Sequence, residues 1–191
     1  MADQRFLGGT GLLTTAGNWT TAAPAAGDRV SVDGTTTVAM IGGDLSAVTV
    51  NSFSVLPSYE QLMGTSGAKV QISATNLTYR GMGESAWFDG TYGRVNVDCA
   101  PFTAAFNLDG TTTLCSVYGG HCVTDATATV TDSLVSRNGR LTLTTGTTAT
   151  GLRVSGGYVS KNCAMTTIVQ TGGKIDNLTG NVTTANLCGG I

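Results

Sequence analysis

Glycine pairs recur at short, nearly even steps along the second half of the chain. Gly119-Gly120, Gly156-Gly157, Gly172-Gly173 and Gly189-Gly190 form a series, and Asn138-Gly139 fills its gap. The second glycines stand at 120, 139, 157, 173 and 190, so the steps are 19, 18, 16 and 17 residues. A unit this short cannot bury an apolar face alone. It has to stack on its neighbours, and the repeat therefore predicts an elongated solenoid.

The flanks of the pairs support stacking. Five residues before each second glycine stand Cys115, Leu134, Leu152, Ile168 and Ala185. Three before stand Val117, Ser136, Val154, Gln170 and Leu187; two after stand Cys122, Leu141, Val159 and Ile175. The first and third sets are apolar throughout, as columns pointing into a shared core should be. Neighbouring coils of such a stack lie about 4.8 Å apart. The glycines mark corners, where positive φ or a tight bend is needed.

Upstream, short alternating segments such as Val30-Ser31-Val32, Val48-Thr49-Val50, Val70-Gln71-Ile72 and Val95-Asn96-Val97 read as strands. A β-sandwich would use the same segments, but the glycine-paced columns argue for coils. Abundant Thr and Val, with 27 glycines, is a β composition. The expected fold is all-β: a single-stranded β-solenoid (β-helix) of short coils, about 16–19 residues each, over residues 31–191. Residues 1–30, with Phe6, Leu12-Leu13, Trp19 and Pro24 among small residues, read as an irregular N-terminal arm or cap.

Charged residues are only 12% of the chain and the net charge is −2, with no basic stripe to meet nucleic acid. Met1 to Leu7 shows no secretory signal, and no apolar run is long enough for a membrane span. Five cysteines, an odd number without zinc spacing, read as reduced core residues. The single His121 and the lack of ligand spacing give no metal, and no cofactor motif is present. Asp109 and Asp125 are 16 residues apart, near one coil, so stacking could bring their carboxyls together as in a retaining glycosidase, with Asp132 nearby. The competing reading makes them turn residues, and the expectation is no catalytic residue and no enzyme. Aromatics cluster at Tyr79, Trp87, Phe88, Tyr92, Phe102 and Phe106, either as core packing or as a subunit interface.

Asn18-Trp19-Thr20, Pro24, Gly27-Asp28, Val30 and Val32 resemble the opening of a β-helical module of bacterial surface proteins and tailed-phage virion proteins. Leu45-Ser46 to Val55, Gly64 to Gly67, Leu77 to Trp87 and Asp89 to Val97 continue the resemblance to small phage structural proteins that decorate the capsid. It covers most of residues 18–175 in pattern and implies a non-enzymatic decoration (cement) protein. On that reading the partners are two further copies in a homotrimer and the major capsid protein, on the virion surface, after synthesis in the host cytoplasm. Phe6, Leu12 and Trp19 are then the expected capsid anchors, and Trp87, Phe88 and Tyr92 the expected subunit contacts. The alternative is a tail or fibre module that binds a surface glycan, with or without hydrolase or lyase activity; a bacterial adhesin fragment is a third reading.

Overall fold

The computed structural model describes residues 1–82, 84–99 and 104–190. Within them run fourteen strands and one short 3-10 turn, Ala16–Asn18, with no α-helix. The first strands are β1 (Asp3–Arg5), β2 (Arg29–Val32), β3 (Gly43–Val55) and β4 (Val70–Tyr79). Shorter ones follow: β5 (Ala86–Asp89), β6 (Thr91–Asp98), β7 (Ala105–Leu108), β8 (Thr111–Gly119) and β9 (His121–Thr124). The last are β10 (Thr129–Val135), β11 (Arg140–Leu143), β12 (Thr148–Lys161), β13 (Met165–Asn177) and β14 (Val182–Leu187).

Every pairing between these strands is parallel. Parallel pairing between successive passes of the chain is what coils stacked on one another produce; a sandwich would need antiparallel hairpins. The protein is a parallel β-solenoid.

Two long ladders carry the core. In the first, Val30, Phe53, Leu77, Val95, Cys115, Ser133, Leu152, Ile168 and Ala185 pair in turn. In the second, Met40, Met63, Ala86, Phe106, Cys122, Leu141, Val159 and Ile175 do the same. The column Cys122–Leu141–Val159–Ile175 is the one expected from the sequence. The other is shifted by one residue at a single coil: Ser133, not Leu134, stands between Cys115 and Leu152, and Val135, not Ser136, between Val117 and Val154. The cause is an extra residue at the next corner. Arg137 adopts φ 52, the only positive φ of a non-glycine residue among the described residues, and Gly139 does not need one. The neighbouring corners use Gly120, Gly157 and Gly173 at φ 74, 73 and 70.

Coil length changes along the axis. Val30 to Phe53 and Phe53 to Leu77 are steps of 23 and 24 residues, while later steps of the same column are 16 to 20. The surplus of the first step lies between β2 and Phe53, part of it in the irregularity between Leu45 and Thr49 of β3, and that of the second in the loops around Tyr59 and Lys69.

Residues 1–30 fold as a cap. β1 pairs with β2, and the expected boundary between residues 30 and 31 falls inside β2. Leu7 N donates to Asn18 O and Thr20 N to Arg5 O, closing the outer edge of β1. Leu13 N donates to Gly42 O and Ile41 N to Gly11 O, closing the second ladder. Trp19 Nε1 donates to Leu13 O at 2.8 Å, and the Phe6 and Trp19 rings lie 5.3 Å apart. Covered edges of this kind stop strand addition. Towards the other end, the buried Lys161 donates to Cys163 O (2.5 Å), Thr179 O (2.8 Å) and Gly180 O (3.0 Å). This ammonium ties two successive turns together.

Candidate functional site

The corner at which each strand of the second ladder ends carries a row of acids. Asp44 pairs with Gln71 and Gln71 with Asp89. Asp109 N donates to Phe88 O, and Asp125 N to Leu108 O, so Asp109 and Asp125 continue the row on the next two coils. Stacking does bring these last two carboxylates together, but around a cation. Lys69, from the loop before β4, places Nζ 2.5 Å from Asp109 Oδ2 and 2.8 Å from Asp125 Oδ2. Thr127 Oγ1 donates to Asp109 Oδ1 at 2.6 Å and Gly110 N at 2.8 Å. Burial pushes the Asp109 carboxyl up, yet the donors Lys69, Thr127 and Gly110 outweigh it and hold the group below the usual carboxylate range. Asp132 stands apart, paired with Leu114 and Gly151 on the first ladder.

Beneath this corner Thr124, Thr144 and Thr147 form a hydroxyl cluster. Thr124 Oγ1 and Thr147 Oγ1 are 2.7 Å apart, and Thr144 Oγ1 donates to Thr124 O at 2.7 Å. The cluster holds two consecutive turns in register and so fixes where Asp125 points.

Beside the acidic row lies Trp87. Its neighbours Ala86 and Phe88 are buried and the indole is only half-buried, so alternation on β5 turns it outward. Trp87 pairs with Asn107, and Asn107 with Val123. A cavity of about 290 Å³ is lined by Trp87, Asn107, Val123, Thr124, Asp125, Ala126 and Thr144. Asn107 Nδ2 donates to Ala86 O and Ala105 O, both at 3.1 Å, which fixes the carboxamide.

Tyr118 and Tyr158 are the other half-buried aromatics among the described residues. Arg137 lies 5.6 Å from the Tyr118 centroid; Arg140 and Lys174 lie 5.2 and 5.6 Å from that of Tyr158. The Tyr158 hydroxyl donates to Asp176 Oδ2 at 2.6 Å.

The expected anchors divide accordingly. Phe6, Trp19, Phe88 and Tyr92 are buried inside their own chain, and as folded they present no ring to a partner. Phe88 and Tyr92 serve the core because they sit at inward positions of β5 and β6. Leu12 and Trp87 keep surface, and Phe102 lies outside the described residues. Cys115, Cys122 and Cys163 are buried and reduced, Cys99 is half-buried, and Cys188 is exposed. Among the described residues, no group of three or more His, Cys, Asp or Glu is placed to hold a metal ion.

No protein family, no curated protein and no solved structure matches the chain. Function therefore rests on the geometry above.

Proposed function

We propose that the protein is a non-enzymatic structural component of a tailed-phage virion: a decoration protein that binds the head as a homotrimer and braces it against expansion. The resemblance of the segments from Asn18 to Val97 to small phage decoration proteins motivates the reading. The observation that carries it is how the apolar columns meet the two ends of the stack. The cap seals them at one end. At the other they reach the surface: Ile175 is half-buried and Ala185 exposed, and Leu178, just before β14, and Leu187, its last residue, are 60% and 64% exposed. No charged residue occurs after Asp176. Among the described strands β14 (VTTANL) pairs only with β13, and an uncharged strand with one open edge is suited to pairing with a strand of another protein. The docking end in this reading is the β14 end, and the cap projects outward.

The paired acids fit a structural role too. Asp109 and Asp125 share the Lys69 ammonium and so tie the loop before β4 to two later coils.

Light scattering of the purified chain and electron cryomicroscopy of empty heads incubated with it test the proposal. A mass of three chains, and threefold density on the heads with β14 nearest the shell, are expected. Sedimentation with host polysaccharide but not with heads overturns it.

A further inference from the structure

The geometry points to the Trp87 groove as a binding site for a neutral oligosaccharide. Sugars are held by an apolar ring face under their C–H groups and by fixed polar groups around their hydroxyls. Of the three half-buried aromatics, Tyr118 and Tyr158 already carry Arg137, Arg140 and Lys174 over their rings. Among the described residues no cation covers Trp87. Nor does its indole N–H donate to any of them, whereas that of Trp19 is bonded to Leu13 O. Trp87 lines a cavity of about 290 Å³ with Asn107, Asp125 and Thr144 also on its walls.

These polar groups are held in place. Asn107 uses both amide protons on backbone carbonyls, so its Oδ1 is left to accept. Asp125 is braced by Lys69 on Oδ2 and by Ala126 N on Oδ1 at 2.6 Å. A carboxylate so fixed takes hydroxyl donors without reorganising. Trp87, Asn107, Asp125 and Thr144 stand on successive coils, about 4.8 Å apart, a spacing close to one pyranose ring. A linear glycan along the axis would set successive rings on successive coils.

Charge selects among glycans. Asp44, Asp89, Asp109 and Asp125 line the same corner, and Lys69 is the one cation bonded into it among the described residues. This net negative edge repels uronate and sialate chains and leaves neutral hexose and N-acetylhexosamine chains.

The experiment is a titration of the full chain with cellotetraose, chitotetraose and tetragalacturonate, read by tryptophan emission and by calorimetry. Trp19 is buried, so a change in emission reports on Trp87. Saturable binding of at least one neutral tetrasaccharide, with no binding of tetragalacturonate, is expected. Trp87→Ala and, in a variant that leaves the core untouched, Asp125→Asn should each weaken it about tenfold or more, equivalent to about 1.4 kcal/mol. The inference is overturned if neither neutral probe binds, if the acidic probe binds as well, or if binding survives both substitutions. The titration needs no phage heads, so its outcome is independent of the decoration role.

Discussion

The ring of Phe88 stacks on that of Phe106, one coil on, with centroids 5.3 Å apart and planes at 27°. Phe53 meets Phe88 edge-on at 5.6 Å, and Tyr79 meets Phe106 at 5.1 Å. Four aromatics from three successive coils thus pack together in the core, where the long early coils give way to shorter ones. Replacing Phe106 by Ala removes the central ring of this set. A loss of about 3–5 kcal/mol is expected for Phe→Ala in a packed core, read as a drop in the urea midpoint at unchanged m-value.

Ser133 stands in an apolar column between Cys115 and Leu152, and its buried hydroxyl has no partner among the described residues. A buried hydroxyl left without a bond costs about 1–3 kcal/mol. Ser133→Ala should therefore stabilise the chain by ~1 kcal/mol and raise the thermal midpoint. A lower midpoint would show that the hydroxyl is bonded.

Arg137 holds φ 52 at a corner where the other coils use glycine. A left-handed backbone costs an ordinary residue about 1–2 kcal/mol, part of which glycine gives back as chain entropy. Arg137→Gly should stabilise by ~0.5–1 kcal/mol despite losing the contact with Tyr118, whereas Arg137→Ala should not. Paired thermal melts of the two variants separate backbone strain from side-chain loss.

The Lys69 clamp makes a pH prediction. Asp109 titrates below its unfolded value, so its contribution is complete above about pH 4 and fades as pH falls through the folded value. Lys69 loses affinity for its proton through burial, but the bonds to Asp109 and Asp125 more than restore it and raise its pKa. Its contribution is complete below the unfolded lysine value and fades at more alkaline pH. The clamp's own contribution should be flat between these limits, while the lowered His121 and the raised Cys99, Cys122 and Cys163 add slopes of their own inside them. Asp28, Asp33, Asp44 and Asp176 are also lowered and share the acid limb. Asp109→Asn should make that limb shallower without removing it; urea midpoints from pH 2 to 7 are the measurement.

Much of this architecture is legible in the glycine series, because a corner that needs positive φ recurs once per coil. The column Cys122–Leu141–Val159–Ile175 lies just after the corner and was readable in full. The column before it slipped at Leu134, since an arginine did the conformational work of a glycine and nothing in its side chain announces that. The cap was legible as a distinct segment but not as a folded one: Phe6, Leu13 and Trp19 meet through irregular backbone with no period to read. Asp109 and Asp125 were readable as a stacked pair. Lys69 was not, because it reaches them from a loop in a longer coil, and no spacing links position 69 to 109 or 125.

The stacked columns themselves are best tested by distance. Thr75, Gly93, Thr113, Thr131, Thr150, Thr166 and Thr183 lie between paired residues at constant offsets, one per coil. Spin labels on cysteines at Thr75 and Thr131 span three coil steps, and at Thr75 and Thr183 six, with Cys99 and Cys188 replaced by Ser. At about 4.8 Å per step, the account predicts backbone separations of about 14 and 29 Å, the second twice the first. A Thr75–Thr183 distance no longer than Thr75–Thr131 would mean that the chain folds back on itself, and the stacked-coil account would fail.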